Sequence, residues 1–173
     1  MKLPKITTIT LLTIAGLTTP ILAENANELR QFLDNPSAVC QGCDFSEADL
    51  SNIRRRGAKL RQTNLTKANL SNSNFSASYF TCADLSNANL QNTNLQWANL
   101  VDANLRGVNL RNADLSKTDL TGAIFEGAIT EGVILKGAKM PDGATIYDGR
   151  GLESFQPRPI LSQPRAKCLG DQK

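Results

Sequence analysis

Residues 83–92 read Ala-Asp-Leu-Ser-Asn-Ala-Asn-Leu-Gln-Asn, and residues 98–102 continue the pattern with Ala-Asn-Leu-Val-Asp. This five-residue unit runs from Cys43 to Asp142 without a gap, which makes 20 units in one register. The third residue of each unit, which we call the centre, is Leu, Phe or Met in 18 of the 20 units. A short fixed period predicts a solenoid, in which each coil contacts only the neighbouring coils.

The period of five also predicts the shape of the coil. A helix needs apolar residues three and four apart and a strand needs strict alternation, so neither pattern fits. A coil with four short sides does fit, because each side then points one large centre and one small residue inward. Twenty residues complete a turn, and strand-like spacing of about 4.8 Å makes five turns a rod of roughly 24 Å. The sequence therefore predicts an all-β solenoid of about five coils.

Two centres break the apolar rule, Arg55 in the first coil and Thr130 in the last. Thr130 is small and can form a hydrogen bond within its coil. A buried unpaired charge is costly. We therefore expect a local bulge that turns Arg54, Arg55 and Arg56 toward water near the open end of the rod.

Both ends of the rod need covers, because exposed apolar stacks and unpaired amides invite association between edges. Residues 26–34 predict a short helix that ends before Pro36, within an N-terminal segment 24–42 that covers the first coil. Its apolar face is expected to lie over the first centres and consists of Leu29, Phe32 and Leu33. At the other end, an irregular tail, residues 143–173, is expected to cover an apolar belt formed by Ile124, Ile129 and Ile134.

The first 23 residues are typical of a signal peptide. Lys2 and Lys5 form a basic start, a moderately apolar stretch follows, and Ala23 is a small residue at a possible cleavage point. An uncleaved anchor is the alternative, but the apolar stretch is rich in Thr and marginal for spanning a bilayer. Such a signal serves the periplasm or the thylakoid lumen equally well, and no stable membrane insertion is expected after cleavage.

Four cysteines in an exported chain are more often paired than free. Three pairings are possible. Cys40 and Cys43 can close a tight turn, and Cys82 and Cys168 would then fasten the tail to the rod. The same tight turn suggests zinc or thiol redox chemistry in other settings, but no histidine or second Cys-x-x-Cys pair completes a zinc site. We expect structural disulfides, no metal and no cofactor.

The acidic residues do not predict an enzyme. Asp84, Asp114 and Asp119 occupy the position before the centre, where Asn is equally common. A catalytic carboxylate cannot be exchanged for an amide in this way. The chain has no histidine, which removes the commonest general base, and it carries no nucleophile elbow, phosphate-binding loop or metal motif.

The candidate partner contacts are few. Trp97 lies at an outward position with Ala77 below it and Lys117 above it, although a single surface aromatic residue is ordinary. Tyr79 replaces the usual Asn or Asp and can instead pack beside the tail. The run Arg54, Arg55 and Arg56 can meet an acidic partner or lipid head group, or can simply be solvated. Residues 43–142 carry 11 Lys/Arg against 10 Asp/Glu, so the balance does not predict a nucleic-acid partner.

The uninterrupted repeat, the Cys-Gln-Gly-Cys segment before it and Met140-Pro141-Asp142-Gly143 after it resemble the pentapeptide repeat family, in particular exported members from cyanobacteria. The resemblance implies a right-handed quadrilateral β-helix over residues 43–142. Some members resemble duplex DNA and bind topoisomerases in the cytoplasm, which needs a strongly negative surface. Most members have no established activity.

Three functions follow from these expectations. The favoured one is a rigid, non-enzymatic scaffold or interaction module that binds a protein partner and is a monomer or weak dimer. The alternatives are a DNA mimic that binds a topoisomerase, and a purely structural protein that associates with itself.

Overall fold

The computed structural model describes residues 20–35, 37–143 and 168, with side chains from residue 26 onward. The helix α1, Pro20–Asp34, comes first. Residues 38–143 then form stacked coils, and Cys168 lies against them through a disulfide bond. Within these ranges, no helix is both long and apolar enough to cross a membrane.

The coils pair with one another in a register of 20 residues. Parallel bridges join Val39 to Lys59 at one end and Asp119 to Lys139 at the other, and every bridge between them has the same separation. The described coils contain isolated bridges instead of extended strands. The reason is that each side holds one bridged residue before the chain turns. A turn every five residues and a coil of 20 residues give the predicted four sides.

Each unit builds one side by the same local rules. The residue before the centre forms the bridge, the centre is buried, and two turn residues follow. The turn closes when the next small residue donates its N–H to the centre's carbonyl, as Ala88 does to Leu85 at 3.0 Å. The second turn residue has a positive φ, which favours Gly and Asn. Trp97 nevertheless occupies this position, with φ of 63°.

The core consists of stacked centres, as the sequence predicts. On the first side, Leu65, Leu85 and Leu105 are all buried. Burying one such side chain stabilises the fold by about 1.5–3 kcal/mol before entropy is subtracted. Small hydroxyl residues inside the coil have acceptors, since the Thr93 hydroxyl donates to the Leu70 carbonyl at 2.8 Å. Polar groups at the small positions therefore do not disturb the core.

The coils begin one unit earlier than the sequence analysis placed them. Val39 bridges Lys59, and Cys40 occupies a buried centre position. This unit escapes detection because Val replaces the usual Asn or Asp and Cys replaces Leu. Helix α1 also begins at Pro20 instead of residue 26, and proline is well tolerated at the first helical position. Ala23 therefore lies inside α1.

Helix α1 packs its apolar face on the first coil. Phe32 is 1% exposed, and its ring centroid lies 5.2 Å from that of Phe45. Leu29 and Leu33 are partly buried against the same cluster. Hydrophobic contacts of this kind, more than helix propensity, hold a short helix in place.

The bulge expected around Arg55 is wrong. Arg54 keeps its bridge to Asn74, and Ala58 donates its N–H to the Arg55 carbonyl, so the unit keeps the normal register. The Arg55 guanidinium instead donates a hydrogen bond to the Leu33 carbonyl and lies 5.9 Å from the centroid of the Phe32 ring. Carbonyls in the last turn of a helix lack intrahelical donors, so α1 supplies an acceptor for the partly buried guanidinium.

The last coil carries the predicted apolar belt. Ile129 and Ile134 are exposed, at 42% and 49%, and Thr130 is partly buried. The apolar tail residues that we expect to cover this belt lie outside the described residues.

Candidate interaction surface

Most of the acidic and amide residues before the centres form ladders along the rod. Asn89 donates from Nδ2 to Oδ1 of Asn69 at 3.2 Å, and Asn109 donates to Asn89 in the same way. The Oδ1 of Asn89 also accepts the backbone N–H of Gln91. Because both accepted bonds need only an oxygen, Asp can replace Asn wherever the side chain does not have to donate to the coil below.

The three aspartates considered as catalytic candidates have structural roles of this kind. Asp84 accepts from Ser86 N–H and from Asn104 Nδ2, both at 2.9 Å. Asp119 accepts from the N–H and the hydroxyl of Thr121. Their oxygens are held by neighbouring donors, which agrees with a repeat that demands an acceptor at this position.

The hydrogen bonds that the Asp114 carboxylate accepts change its pKa. Partial burial raises the pKa of its carboxyl, but hydrogen bonds from the Ser116 side chain and backbone and from Gln96 outweigh the burial, and the pKa lies below its usual value. The same hydrogen bonds therefore hold the side chain in its ionised form.

All four cysteines are paired in the structure. Cys40 and Cys43 form one disulfide, with Cα atoms 5.6 Å apart, and Cys82 and Cys168 form the other, at 5.7 Å. Gln62 Nε2 donates to the Cys168 carbonyl at 2.7 Å and so holds the tail residue on the neighbouring coil. The second bond joins positions 86 residues apart, so it ties the tail to the rod.

Each disulfide lies beside a carboxylate, Glu28 near the first pair and Asp102 near the second. These are the two groups of potential metal-ligand atoms within the described residues. In both groups the two sulfurs are bonded to each other. A bonded sulfur is not the thiolate that a metal needs.

Trp97 stands at the corner between the third and fourth sides of the coil. Its side chain is 60% exposed, and Lys117, one coil above, places Nζ 4.2 Å from the ring centroid. Ala77 lies one coil below, as expected from the period. A bulky residue with positive φ is strained. The structure therefore presents this aromatic ring to solvent from a backbone position that disfavours it.

Tyr79 lies on the fourth side, close to this corner. It is 48% exposed and bridges Lys59 below and Asn99 above. Tyr79 follows Ala77 by two residues, and Asn99 follows Trp97 by two. The two exposed aromatic residues are therefore one coil apart on adjacent columns, with the small Ala77 beside them.

Four exposed cations lie on the third and fourth sides in the first coil, namely Arg54, Arg56, Lys59 and Arg61. Within the described residues, none of them forms an ion pair. Cations elsewhere do, as Arg106 does with Glu126 at 3.2 Å. We define the basic–aromatic surface as these four residues with the three that lie above them, Tyr79, Trp97 and Lys117.

When the charged residues are assigned to the four sides by the 20-residue register, the sides differ in charge, although the total numbers of cations and acidic residues in the repeats are nearly equal. The third side consists of the unit centred on Arg55 and of every fourth unit after it, and the fourth side consists of the unit centred on Leu60 and of every fourth unit after that. Each unit is counted with its two turn residues. These two sides carry eight cations, Arg54, Arg55, Arg56, Lys59, Arg61, Lys117, Lys136 and Lys139, and four acidic residues, Asp102, Asp114, Asp119 and Asp142. The other two sides carry three cations and six acidic residues.

Of the five residues predicted as partner contacts, four lie together on the basic–aromatic surface, including Tyr79. The fifth lies apart from them. Arg54, Arg56 and Trp97 lie on the basic–aromatic surface, whereas Arg55 lies beneath α1. Lys59 and Arg61 were not predicted from the sequence as part of this surface. The signal was available, since the predicted 20-residue coil places Lys59 directly below Tyr79.

Comparisons with known proteins place these coils in a family. The family model described as pentapeptide repeats matches in 8 copies over residues 56–92 and 88–127. Comparison with curated protein sequences gives no match.

The solved structures to which the chain is similar include three pentapeptide repeat proteins. The pentapeptide repeat protein alr5209 from Nostoc is 29% identical with a TM-score of 0.51, over 64% of this chain and 94% of its own. Rfr23 from Cyanothece is 29% identical with a TM-score of 0.47, over 71% and 99%. A protein from the Arabidopsis thaliana thylakoid lumen is 24% identical with a TM-score of 0.39, over 64% and 69%.

The matched repeats and the observed 20-residue register identify the coils as a right-handed β-helix solenoid. Residues 56–127 carry the repeats of the pentapeptide repeat family, and the chain is similar to solved pentapeptide repeat proteins from cyanobacteria.

Proposed function

We propose that this protein is a rigid, non-enzymatic interaction module that binds a protein partner through the basic–aromatic surface. Proteins of its family are typically non-enzymatic and act through protein interactions. The observation that carries the proposal is Trp97, which keeps a 60% exposed ring at a left-handed backbone position. Tryptophan is enriched among residues that anchor interfaces, and strained residues cluster where function requires them.

The proposal includes a compartment and a domain plan. Residues 1–23 act as an export signal, the remainder of α1 caps the first coil, and the rod of about five coils runs from the unit of Val39 and Cys40 to residue 142. Residues 143–173 form a capping tail. We place the mature protein in the periplasm or the thylakoid lumen, as a monomer or weak dimer. Two disulfides fit an oxidising compartment.

A DNA mimic is less well supported. Such a protein needs a strongly negative rod, whereas eight of the eleven repeat cations lie on the third and fourth sides. Inhibition of supercoiling by gyrase in the presence of the mature protein would reverse this ranking.

The decisive experiment is affinity purification of the tagged mature protein from its own exported fraction. Three versions are compared, the wild type, Trp97→Asn and Arg111→Gln. Asn suits the left-handed position, since Asn92 and Asn112 already occupy it in other units. Arg111 is exposed on the second side and serves as the surface control.

We expect a partner in stoichiometric amount with the wild type and the control, and its loss with Trp97→Asn while thermal stability is kept. A partner retained by all three proteins would remove Trp97 from the interface. Recovery of no partner by any of them would contradict the interaction-module function.

A further inference from the structure

We propose that the partner presents an extended, acidic–apolar peptide segment, which lies along the rod with its carboxylates over the first coil and an apolar side chain between Tyr79 and Trp97. This inference rests on the proposed function and adds the chemistry of the partner. It starts from the uneven distribution of charge within the basic–aromatic surface.

The cations of this surface are concentrated at its lower end. Arg54, Arg56, Lys59 and Arg61 fall within eight residues of one coil and are all exposed. No carboxylate of the described residues pairs with them. Local positive charge without an internal partner attracts an anionic ligand, and arginine can form two parallel hydrogen bonds to each carboxylate.

The middle of the surface is aromatic. Tyr79 lies one coil above Lys59, and Trp97 lies one coil above Ala77. Among the described residues, the side chain that lies next to both rings is the small one of Ala77. An aliphatic or aromatic side chain of a ligand fits beside it, because exposed rings gain most from removing apolar surface from water.

The upper end of the surface disfavours a uniform polyanion. Lys117 contributes one cation, but it is stacked on Trp97, and the carboxylates of Asp114 and Asp119 lie on the same two sides, where Lys139 pairs with Asp119 at 3.7 Å. A nucleic acid carries a phosphate at every residue and would meet these carboxylates. A peptide can carry its charges at one end only, so it matches the observed order of cations, rings and carboxylates.

The dimensions also suit an extended peptide. The surface runs from the coil of Lys59 to the coil of Lys117, a rise of three coil spacings, or about 14 Å. An extended chain advances about 3.3 Å per residue, so roughly four residues cover this distance. The binding motif is therefore short, with acidic residues followed by a large apolar residue.

The test uses the folded mature protein and a peptide of two Glu followed by Leu and Phe. The chain contains a single tryptophan, so intrinsic fluorescence reports directly on Trp97. Binding is also followed by anisotropy of the labelled peptide, which serves variants that lack Trp97. Oligothymidylate and vesicles containing phosphatidylglycerol are measured in parallel as other anionic ligands.

Two variants that lose the same number of positive charges distinguish an effect of the cations on the basic–aromatic surface from an effect of the net charge of the protein. Arg56→Gln/Arg61→Gln removes two cations from the basic–aromatic surface, and Arg106→Gln/Arg111→Gln removes two from the first and second sides. All four arginines occupy the first turn position of their units and are exposed. We expect the first variant and Trp97→Asn each to weaken peptide binding about tenfold or more, and the control variant to bind like the wild type.

Equal weakening by both double variants would overturn the proposal, because binding would then depend only on net charge. Binding of oligothymidylate or vesicles but not the peptide would also overturn it. If all three ligands fail while a Trp97-dependent partner is still captured from the exported fraction, the acidic-peptide assignment is wrong and the proposed function stands. Failure of that capture as well contradicts the proposed function.

Discussion

The guanidinium of Arg55 donates a hydrogen bond to the carbonyl oxygen of Leu33, which joins the first coil of the rod to the last turn of α1. Arg55 occupies a centre, where nearly every other unit has Leu or Phe, and its Nε is buried without a partner in the described residues. The guanidinium also lies against the Phe32 ring. A residue that breaks the repeat thus connects the helix to the solenoid.

Replacing Arg55 by Ala should loosen α1. The variant loses a hydrogen bond from a charged donor, which is worth about 1.5–3 kcal/mol, and its contact with Phe32. Hydrogen exchange should show faster exchange of α1 amides and little change in the upper coils. Arg56→Ala is the control, since Arg56 is exposed. Unchanged protection of α1 in Arg55→Ala would contradict this role.

Replacing Trp97 by Asn should raise stability slightly. A left-handed backbone costs a bulky residue about 1–2 kcal/mol, whereas the exposed contact between Lys117 and the ring returns about 0.5–1 kcal/mol. Denaturant titration should therefore place the variant at or above the wild type. The substitution Asn92→Trp, at another turn position with a positive φ, should lower the free energy of unfolding. A clear loss in Trp97→Asn would mean that the ring packs on residues outside those described.

Removing the Cys82–Cys168 bond should destabilise the mature protein. The bond joins positions 86 residues apart, and disulfides that close loops of this size typically contribute about 2–4 kcal/mol. We expect the double variant Cys82→Ser/Cys168→Ser to melt at a lower temperature than the oxidised wild type. Equal melting temperatures would show that the bond does not stabilise the protein by restricting the conformations of the unfolded chain.

The hydrogen-bonded ladders predict that two Asn→Ala substitutions at the position before the centre lower the free energy of unfolding by different amounts. Asn89→Ala removes two side-chain bonds between coils and one bond to the Gln91 N–H. Asn94→Ala removes one bond, to the Gln96 N–H. At about 1 kcal/mol per bond, Asn89→Ala should cost roughly 2–3 kcal/mol and Asn94→Ala about 1 kcal/mol. Equal costs in denaturant titrations would mean that the ladder does not stabilise the rod.

Asp114 predicts a dependence of stability on pH. Because folding lowers the pKa of its carboxyl from the ordinary 3.8, the ionised side chain stabilises the fold above that pH. This contribution is lost as the pH falls from 3.8 through the lowered value. The stability difference between the wild type and Asp114→Asn should therefore change in this range and be constant near neutral pH. The difference for Asn94→Ala, which removes no titrating group, should not follow the same profile.

Much of the architecture follows from residues within a single unit. The small residue, the acceptor, the large centre and the two turn residues each have a local role, which the pairs Ala88–Leu85 and Asn89–Gln91 illustrate. Because every unit repeats these roles, the period predicted the four-sided coil, the 20-residue register and the buried Leu and Phe stacks. It also explained why Asn and Asp replace each other before the centre.

The candidate site was only partly predictable. Trp97 and Tyr79 were identified because each breaks the pattern of its position. Arg61 occupies a turn position that is ordinarily polar, so nothing local marks it, whereas Lys59 replaces the usual Asn or Asp as Tyr79 does. Their importance appears only when the sides are superposed and the cations are found without carboxylate partners. The predicted bulge at Arg55 failed because its acceptor, Leu33, lies 22 residues earlier in a helix.

The sequence alone therefore determined the solenoid, its period and its core, because these depend on side chains whose direction is set within five residues. Only the tertiary structure decided where Arg55 finds its acceptor, that the exposed cations of the first coil lack carboxylate partners among the described residues, and that the Lys117 ammonium lies over the ring of Trp97. These relationships join residues about one coil apart or more, and the stacking of the coils and the docking of α1 bring them together.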